Sequence, residues 1–177
     1  DGRGVWFGFY PVTDQHIEGI GQYNRQSWEL CQSDLQPIGE KTNDIIISPT
    51  GEVWVATDGS GVAVLRGENW TGYTTEDGLP DNRTYELAIE PNTNDVLVGT
   101  WQGIARFDGT QWALAYSAGD GNDLVSNQVD AIAFRDNGDM WIGYIDAGVS
   151  NLTSAGEWIH YSAEDNSENL ISNNVRD

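Results

Sequence analysis

Short hydrophobic runs separated by turn residues make up much of the chain. The clearest unit begins at Asp44 and holds an isoleucine run at 45–47, a continuous apolar run at 53–56, a valine-rich run at 62–65 and an aromatic run at 70–74. Gly, Pro, Asn or Asp separate these runs, which is the pattern of short β-strands joined by tight turns. No stretch has the spacing and caps of an amphipathic helix, so we predict no helix longer than a single turn.

Tryptophan and glycine recur at one long period, with successive members 42 to 48 residues apart. One tryptophan series is Trp28, Trp70, Trp112 and Trp158, and a second is Trp6, Trp54 and Trp141, with Leu97 in its missing place. The glycine series is Gly19, Gly61, Gly103 and Gly148. Four short strands repeated at this period indicate the blades of a β-propeller. We therefore expect all seven series tryptophans to pack in the core between blades.

The predicted fold is all-β: a β-propeller segment of about four blades, each a four-stranded antiparallel sheet. The complete blades are expected at 43–77, 85–118 and 129–165, after a partial blade at 1–34 and before the start of another at 170–177. The first blade lacks its innermost strand, because the chain opens at the turn before the second strand. An open arc leaves apolar blade faces uncovered, so we expect either the remaining blades of a longer chain or self-association.

Composition narrows the classes of partner. The net charge is −20, with seven arginines and one lysine, Lys41. No basic stripe can be assembled from so few cations, which excludes a nucleic-acid-binding surface. Cys31 has no partner for an intrachain disulfide and takes the repeat position of Tyr73 and Tyr161, so we interpret it as a core filler.

Several segments resemble the two-component regulator propeller repeat. The resemblance is carried by Asp-Asn-Gly-Asp-Met-Trp-Ile-Gly at 136–143, by Trp-Ile-His-Tyr at 158–161, and by 103–109 with its following Leu-Val-Ser-Asn at 124–127. Leu97 departs from the pattern, and the first repeat carries an insertion. The resemblance implies a propeller outside the cytoplasmic membrane, extracellular or periplasmic, of the kind that serves as a sensor module in bacterial signalling proteins.

Candidate ligand-binding residues lie in the loops between the second and third strands of the blades. The first repeat has an inserted loop at 9–18 that contains Tyr10 and His16, and long loops on a rigid scaffold often carry function. Trp101 stands outside both tryptophan series, and we place Tyr144 in the same turn of another repeat. Aromatic rings beside amides and carboxylates suit sugar recognition. The alternative for Trp101 is that it packs beneath its own turn.

Three functions remain open at this point. The favoured one is a non-enzymatic sensor or binding module for a glycan, peptide or protein partner. The second is a polysaccharide-cleaving lyase or hydrolase that uses Tyr10 and His16 for proton transfer, and the third is a structural or adhesion array. We predict no metal and no cofactor: the acidic turns at 120–123 and 136–139 do not continue into a twelve-residue calcium loop. A match of the second turn to a sialidase Asp-box is incomplete, since Arg135 replaces its Ser or Thr.

Overall fold

The computed structural model describes residues 4–9, 19–31, 41–119, 124–164 and 170–176. Within these residues the fold is all-β, as predicted, and the helical content is one 3₁₀ turn at Thr75–Asp77. No helix in the described part of the chain is long and apolar enough to span a membrane.

The strands form four antiparallel sheets in which sequence neighbours are spatial neighbours. The first sheet has three strands, β1 (Val5–Phe9), β2 (Gly19–Tyr23) and β3 (Trp28–Cys31). The second has β4 (Thr42–Ile47), β5 (Val53–Thr57), β6 (Val62–Arg66) and β7 (Asn69–Tyr73). The third has β8 (Thr84–Ile89), β9 (Val96–Thr100), β10 (Gly103–Phe107) and β11 (Trp112–Tyr116). The fourth has β12 (Val129–Phe134), β13 (Met140–Tyr144), β14 (Val149–Leu152) and β15 (Trp158–Tyr161).

We number the four sheets as blades 1 to 4 and name the strands of each full blade A to D in chain order. The A strands β4, β8 and β12 lie side by side, and β1, a B strand, lies against β4. The described part of blade 1 therefore has strands B, C and D, which confirms the prediction that its innermost strand is missing.

Three hydrophobic clusters fill the junctions between successive blades. At the junction of blades 2 and 3, Trp54 is 1% exposed and contacts Tyr73, Phe107 and Trp112. Alternate residues of a strand point to opposite faces of the sheet. One set of side chains of an interior blade therefore packs against the blade before it, and the other set packs against the blade after it. The core is thus a series of layers between blades.

In each of blades 2 to 4, a glycine and an asparagine fasten the blade to the connector that follows it. Gly103 has φ +108°, and a Cβ atom there would collide with the Tyr116 carbonyl oxygen. Its N–H donates to the Asn127 carbonyl at 2.9 Å, while the Asn127 side-chain oxygen accepts from the Ala118 N–H at 2.6 Å. Equivalent pairs are Gly61 with Asn82 and Gly148 with Asn173. This contact explains why the glycine series keeps the repeat period.

The core prediction for the tryptophans needs one correction. Trp54 and Trp112 are buried, while Trp6, Trp70, Trp141 and Trp158 are half-buried at blade junctions or faces. Trp28 is 60% exposed, so its assignment to the core is wrong in this structure. Its ring packs against Phe7 and Tyr23 of its own blade, on the face of blade 1 that points away from blade 2. The side chain of Cys31 lies outside the described part of the structure.

Candidate functional site

The B–C turns and the D–A connectors share one face, which we name the connector face. It comprises the turns at 58–60, 101–102 and 145–147 and the connectors at 79–83 and 124–128. Backbone hydrogen bonds join the two sets: Trp101 N–H donates to the Arg83 carbonyl at 3.3 Å, and Ile145 N–H donates to the Gln128 carbonyl at 3.2 Å. In blades 3 and 4 the turn that follows the B strand is therefore held next to the residue that precedes the A strand of the same blade.

Trp101 forms an ordered aromatic and cationic shelf on this face. The Arg83 guanidinium carbon lies 4.7 Å from the Trp101 ring centroid, and the Tyr85 ring lies 6.0 Å from it at a tilt of 39°. Asp81 fixes the guanidinium by accepting from Arg83 Nε at 3.0 Å and from an Nη atom at 2.7 Å. A bidentate pair of this kind restricts the arginine to one orientation. The half-buried Trp101 ring is thus held in place before any ligand arrives.

The electrostatics of the shelf follow from these contacts. The hydrogen bond from Arg83 lowers the pKa of the Asp81 carboxyl, and the same contact raises the pKa of Arg83. Burial, followed by the nearby Asp58 carboxylate, raises the pKa of the Tyr85 hydroxyl. At neutral pH the shelf therefore presents a charged ion pair beside a neutral phenol.

A polar cavity of about 260 Å³ adjoins the shelf at the start of the A strands. Tyr85 lines both. Burial raises the pKa of Asp130 in this cavity, and the nearby Arg176 and Lys41 charges oppose that rise. The lining residues are Lys41, Asn43, Asp44, Tyr85, Glu86, Asp130 and Arg176. Lys41 also pairs with Asp58 on the connector face, with 2.9 Å between Nζ and Oδ2. The chain's one lysine, Lys41, and two of its arginines, Arg83 of the shelf and Arg176 of the cavity, thus lie close together in a protein of net charge −20.

The prediction that Tyr144 lies in the same turn as Trp101 is wrong by one residue. Backbone hydrogen bonds show that Ile145 is the counterpart of Trp101, and Tyr144 takes the strand position of Thr100. Its side chain is fully buried, and its hydroxyl donates to Ser150 Oγ at 2.8 Å. Burial raises the pKa of this phenol. A shift of one residue in a strand reverses the face of the side chain, so Tyr144 is unavailable to a ligand on the connector face.

The other candidate residues divide into two groups. Tyr10 and His16 lie outside the described residues. His160 is exposed on β15, and its Nδ1 lies 2.7 Å from Ser150 Oγ, but Ser150 itself is fully buried and no substrate can reach its hydroxyl. Within the described residues no group of three His, Cys, Asp or Glu side chains is placed to hold a metal ion.

Sequence reasoning missed most of the shelf and cavity. Arg83 and Lys41 each stand directly before an A strand, and Tyr85 and Asp130 share the second position of theirs. An alignment of the repeats at the start of the A strands would have shown that these two positions are often polar. The contact of Arg83 with Trp101 had no such signal, because it joins a connector to a turn on a different strand.

Solved structures with the same fold support this description. The extracellular domain of the hybrid two-component system protein BT3049 from B. thetaiotaomicron superposes with a TM-score of 0.72 at 19% identity, over 90% of this chain and 23% of that one. PorZ, a surface component of the type-IX secretion system of Porphyromonas gingivalis, superposes with a TM-score of 0.68 at 17% identity. The match covers 88% of this chain and 25% of PorZ. The chain has a β-propeller fold.

A third propeller of similar structure is an enzyme. Virginiamycin B lyase from Staphylococcus aureus superposes with a TM-score of 0.59 at 15% identity, over 91% of this chain and 56% of that one. The chain spans about a quarter of the length of the BT3049 domain and of PorZ. Neither the family profiles nor the curated sequences compared with the chain include a match. At these identities the likeness shows the fold alone.

Proposed function

We propose that this propeller is a non-enzymatic binding module of a sensor protein, acting outside the cytoplasmic membrane on a glycan, peptide or protein ligand. The observation that carries the proposal is the preformed shelf of Trp101, Arg83 and Tyr85 beside a polar cavity. The similar folds of the BT3049 extracellular domain and of the surface component PorZ support the sensor role and the location.

The shelf suits recognition better than catalysis. A half-buried indole offers a flat apolar surface, and the surrounding ion pairs and amides supply directional hydrogen bonds. Because Asp81 already fixes Arg83, little side-chain entropy remains to be lost when a ligand stacks on Trp101. Every cation of the shelf and cavity lies near a carboxylate, which favours a ligand rich in hydroxyl and amide groups over a polyanion.

A lyase or hydrolase is the second candidate, and the fold shared with virginiamycin B lyase is the reason to keep it. Such an activity needs a proton acceptor beside the ligand. His160, the one histidine among the described residues, lies on the outermost strand of blade 4 and contacts a buried serine. A catalytic role would therefore fall to residues other than His160.

The experiment is a titration of the 177-residue chain with neutral oligosaccharides, acidic oligosaccharides and short peptides, followed by ¹⁹F NMR of 5-fluorotryptophan-labelled protein. Trp101→Phe assigns the Trp101 resonance. We expect one of these three classes of ligand to shift the Trp101 resonance. Trp101→Ala should weaken the binding of that ligand about tenfold or more, as for the loss of one stacked ring. Leu114→Ala is the matched control, because Leu114 is 49% exposed on the outermost strand of blade 3 and is not one of the shelf residues. A ligand that binds the Trp101→Ala variant with unchanged affinity would refute the proposal. Conversion of the ligand to products would favour the enzymatic alternative.

A further inference from the structure

A cavity larger than the one beside the shelf lies between blades 2 and 3, at the end of the strands opposite the connector face. The A–B and C–D turns form its rim, because strand direction alternates in an antiparallel sheet. Its volume is about 440 Å³, within the range of about 300–1,000 Å³ for small-molecule sites. Blade 1 packs on blade 2 and blade 4 on blade 3, so a further blade backs each wall. We name this cavity the junction pocket and define it by Glu52, Trp54, Arg66, Tyr73, Asp95 and Phe107.

Arg66, the last residue of β6, is held in one position in the junction pocket. Its guanidinium carbon lies 5.3 Å from the centroid of the Trp54 ring and 5.8 Å from that of the Phe107 ring, so it rests on aromatic rings from two blades. Its Nε donates to Glu52 Oε1 at 2.7 Å, and its Nη1 donates to the Tyr73 hydroxyl at 3.2 Å. These contacts fix the guanidinium before any ligand binds.

The same contacts leave part of the Arg66 guanidinium open. Within the described residues its Nη2 has no hydrogen-bond acceptor, and its Nη1 has a second N–H still to donate. The side chain is 37% exposed, so a ligand in the pocket can reach these groups. The cavity between blades 3 and 4 is smaller, about 230 Å³, and Nη2 of its arginine, Arg106, lies 2.8 Å from Glu90 and 2.5 Å from Asp95. Arg106 is therefore paired with two carboxylates, whereas Arg66 is paired with one.

The carboxylates around the junction pocket are already engaged. Glu52 holds Arg66, and Asp95 is paired with the arginine of the neighbouring cavity. Asp108 at the rim accepts hydrogen bonds from its own turn, first of all from the Thr110 hydroxyl, and these lower the pKa of Asp108 to about 2. The open N–H groups of Arg66 thus still lack an acceptor. A carboxylate suits them best, because its two oxygens match two N–H groups of a guanidinium.

We propose that the junction pocket is a second binding site, which holds a small ligand by its carboxylate group on the open N–H groups of Arg66. Two sources of this chemistry fit the pocket: a sugar acid and the C-terminal carboxylate of a peptide. The net charge of −20 repels an anion at long range, but about 0.15 M salt screens that repulsion beyond about 8 Å, and the contact with Arg66 is shorter. The inference is independent of the proposed function, because the pocket and the shelf lie at opposite ends of the strands.

Pairs of probes that differ at one carboxyl group test the inference. Glucuronate is compared with glucose, and N-acetyl-Ala-Ala with its C-terminal amide, by titration into the 5-fluorotryptophan-labelled chain at about 0.15 M NaCl. Trp54 lines the pocket and is the reporter, and Trp54→Phe assigns its ¹⁹F resonance. We expect at least one carboxylate probe to shift the Trp54 resonance, and its neutral counterpart to bind at least about tenfold more weakly. A response to glucuronate alone identifies a sugar acid, and a response to the peptide alone identifies a C-terminal carboxylate.

Variants place the contact at Arg66. We expect Arg66→Gln to weaken binding of the carboxylate probe about tenfold or more. Arg135→Gln is the matched control, because it removes the same charge from an exposed residue in the A–B turn of blade 4 that does not line the pocket. Trp101→Ala should leave binding of the carboxylate probe unchanged, since Trp101 belongs to the shelf. Circular dichroism verifies that each variant keeps the β fold, and the comparison of probes needs no variant if Arg66→Gln does not fold.

Three results would overturn the inference. The first is a Trp54 resonance that no carboxylate probe shifts at concentrations up to about 10 mM. The second is equal affinity for a carboxylate probe and its neutral counterpart, or for the Arg66→Gln variant and the unaltered chain. The third is a carboxylate probe that shifts the Trp101 resonance alone, which would assign the carboxylate to the connector face and leave the proposed function intact.

Discussion

The layer between blades 2 and 3 predicts a large cost for Trp54→Ala. Trp54 is 1% exposed, and its ring contacts Phe107 at 5.2 Å, Trp112 at 6.0 Å and Tyr73 at 6.3 Å. Burying about 150–250 Å² of aromatic surface at about 25 cal/mol per Å² corresponds to about 4–6 kcal/mol. The alanine retains part of this, so we expect the free energy of unfolding to fall by about 3–5 kcal/mol.

Trp141→Ala is the matched comparison, because Trp141 occupies the same strand position and the same Trp–Tyr stack with one side uncovered. We expect it to cost about 1–2 kcal/mol, since part of its ring is already in water. The measurement is urea unfolding followed by circular dichroism, at protein concentrations low enough to keep the chain monomeric. Equal costs for the two variants, or a cost below about 1 kcal/mol for Trp54→Ala, would show that coverage by the next blade does not set the stability of this layer.

Three further predictions concern single residues. Gly103→Ala should lower the free energy of unfolding by more than about 2 kcal/mol in the same assay, because the new Cβ meets the Tyr116 carbonyl and the positive φ is strained. Asn127→Ala should cost about 0.5–1.5 kcal/mol by removing the acceptor for the Ala118 N–H. Asp130→Asn should raise the melting temperature at pH 7. Its folded-state pKa lies above the unfolded value, so the charged form destabilises the fold above that pKa, and the gain should vanish as the pH falls to the unfolded value. A lower melting temperature at pH 7 would mean that attraction to Arg176 and Lys41 outweighs burial.

The repeat period and the turn residues were sufficient to predict the blades. Short β-branched runs between Gly, Asn and Asp turns permit few structures other than small antiparallel sheets, and a constant period requires each sheet to meet its neighbours alike. The glycine series had an equally local cause, since a side chain at Gly103 would collide with the neighbouring strand. The ligand-binding prediction for Tyr10 and His16 stays a prediction, because both residues lie outside the described residues.

Tertiary structure alone decided which of the periodic residues are covered and which side chains meet. Trp28 and Trp112 have the same place in the repeat, yet one is 60% exposed and the other 4%, because blade 2 packs against the second in this structure. Tyr144 and Trp101 differ by one position in the repeat. Because of this difference the Tyr144 ring lies in the core, whereas the Trp101 ring lies beside Arg83. A hydrophobic pattern determines the two faces of a strand, but the neighbour that covers each face comes from another part of the chain, and burial depends on that neighbour.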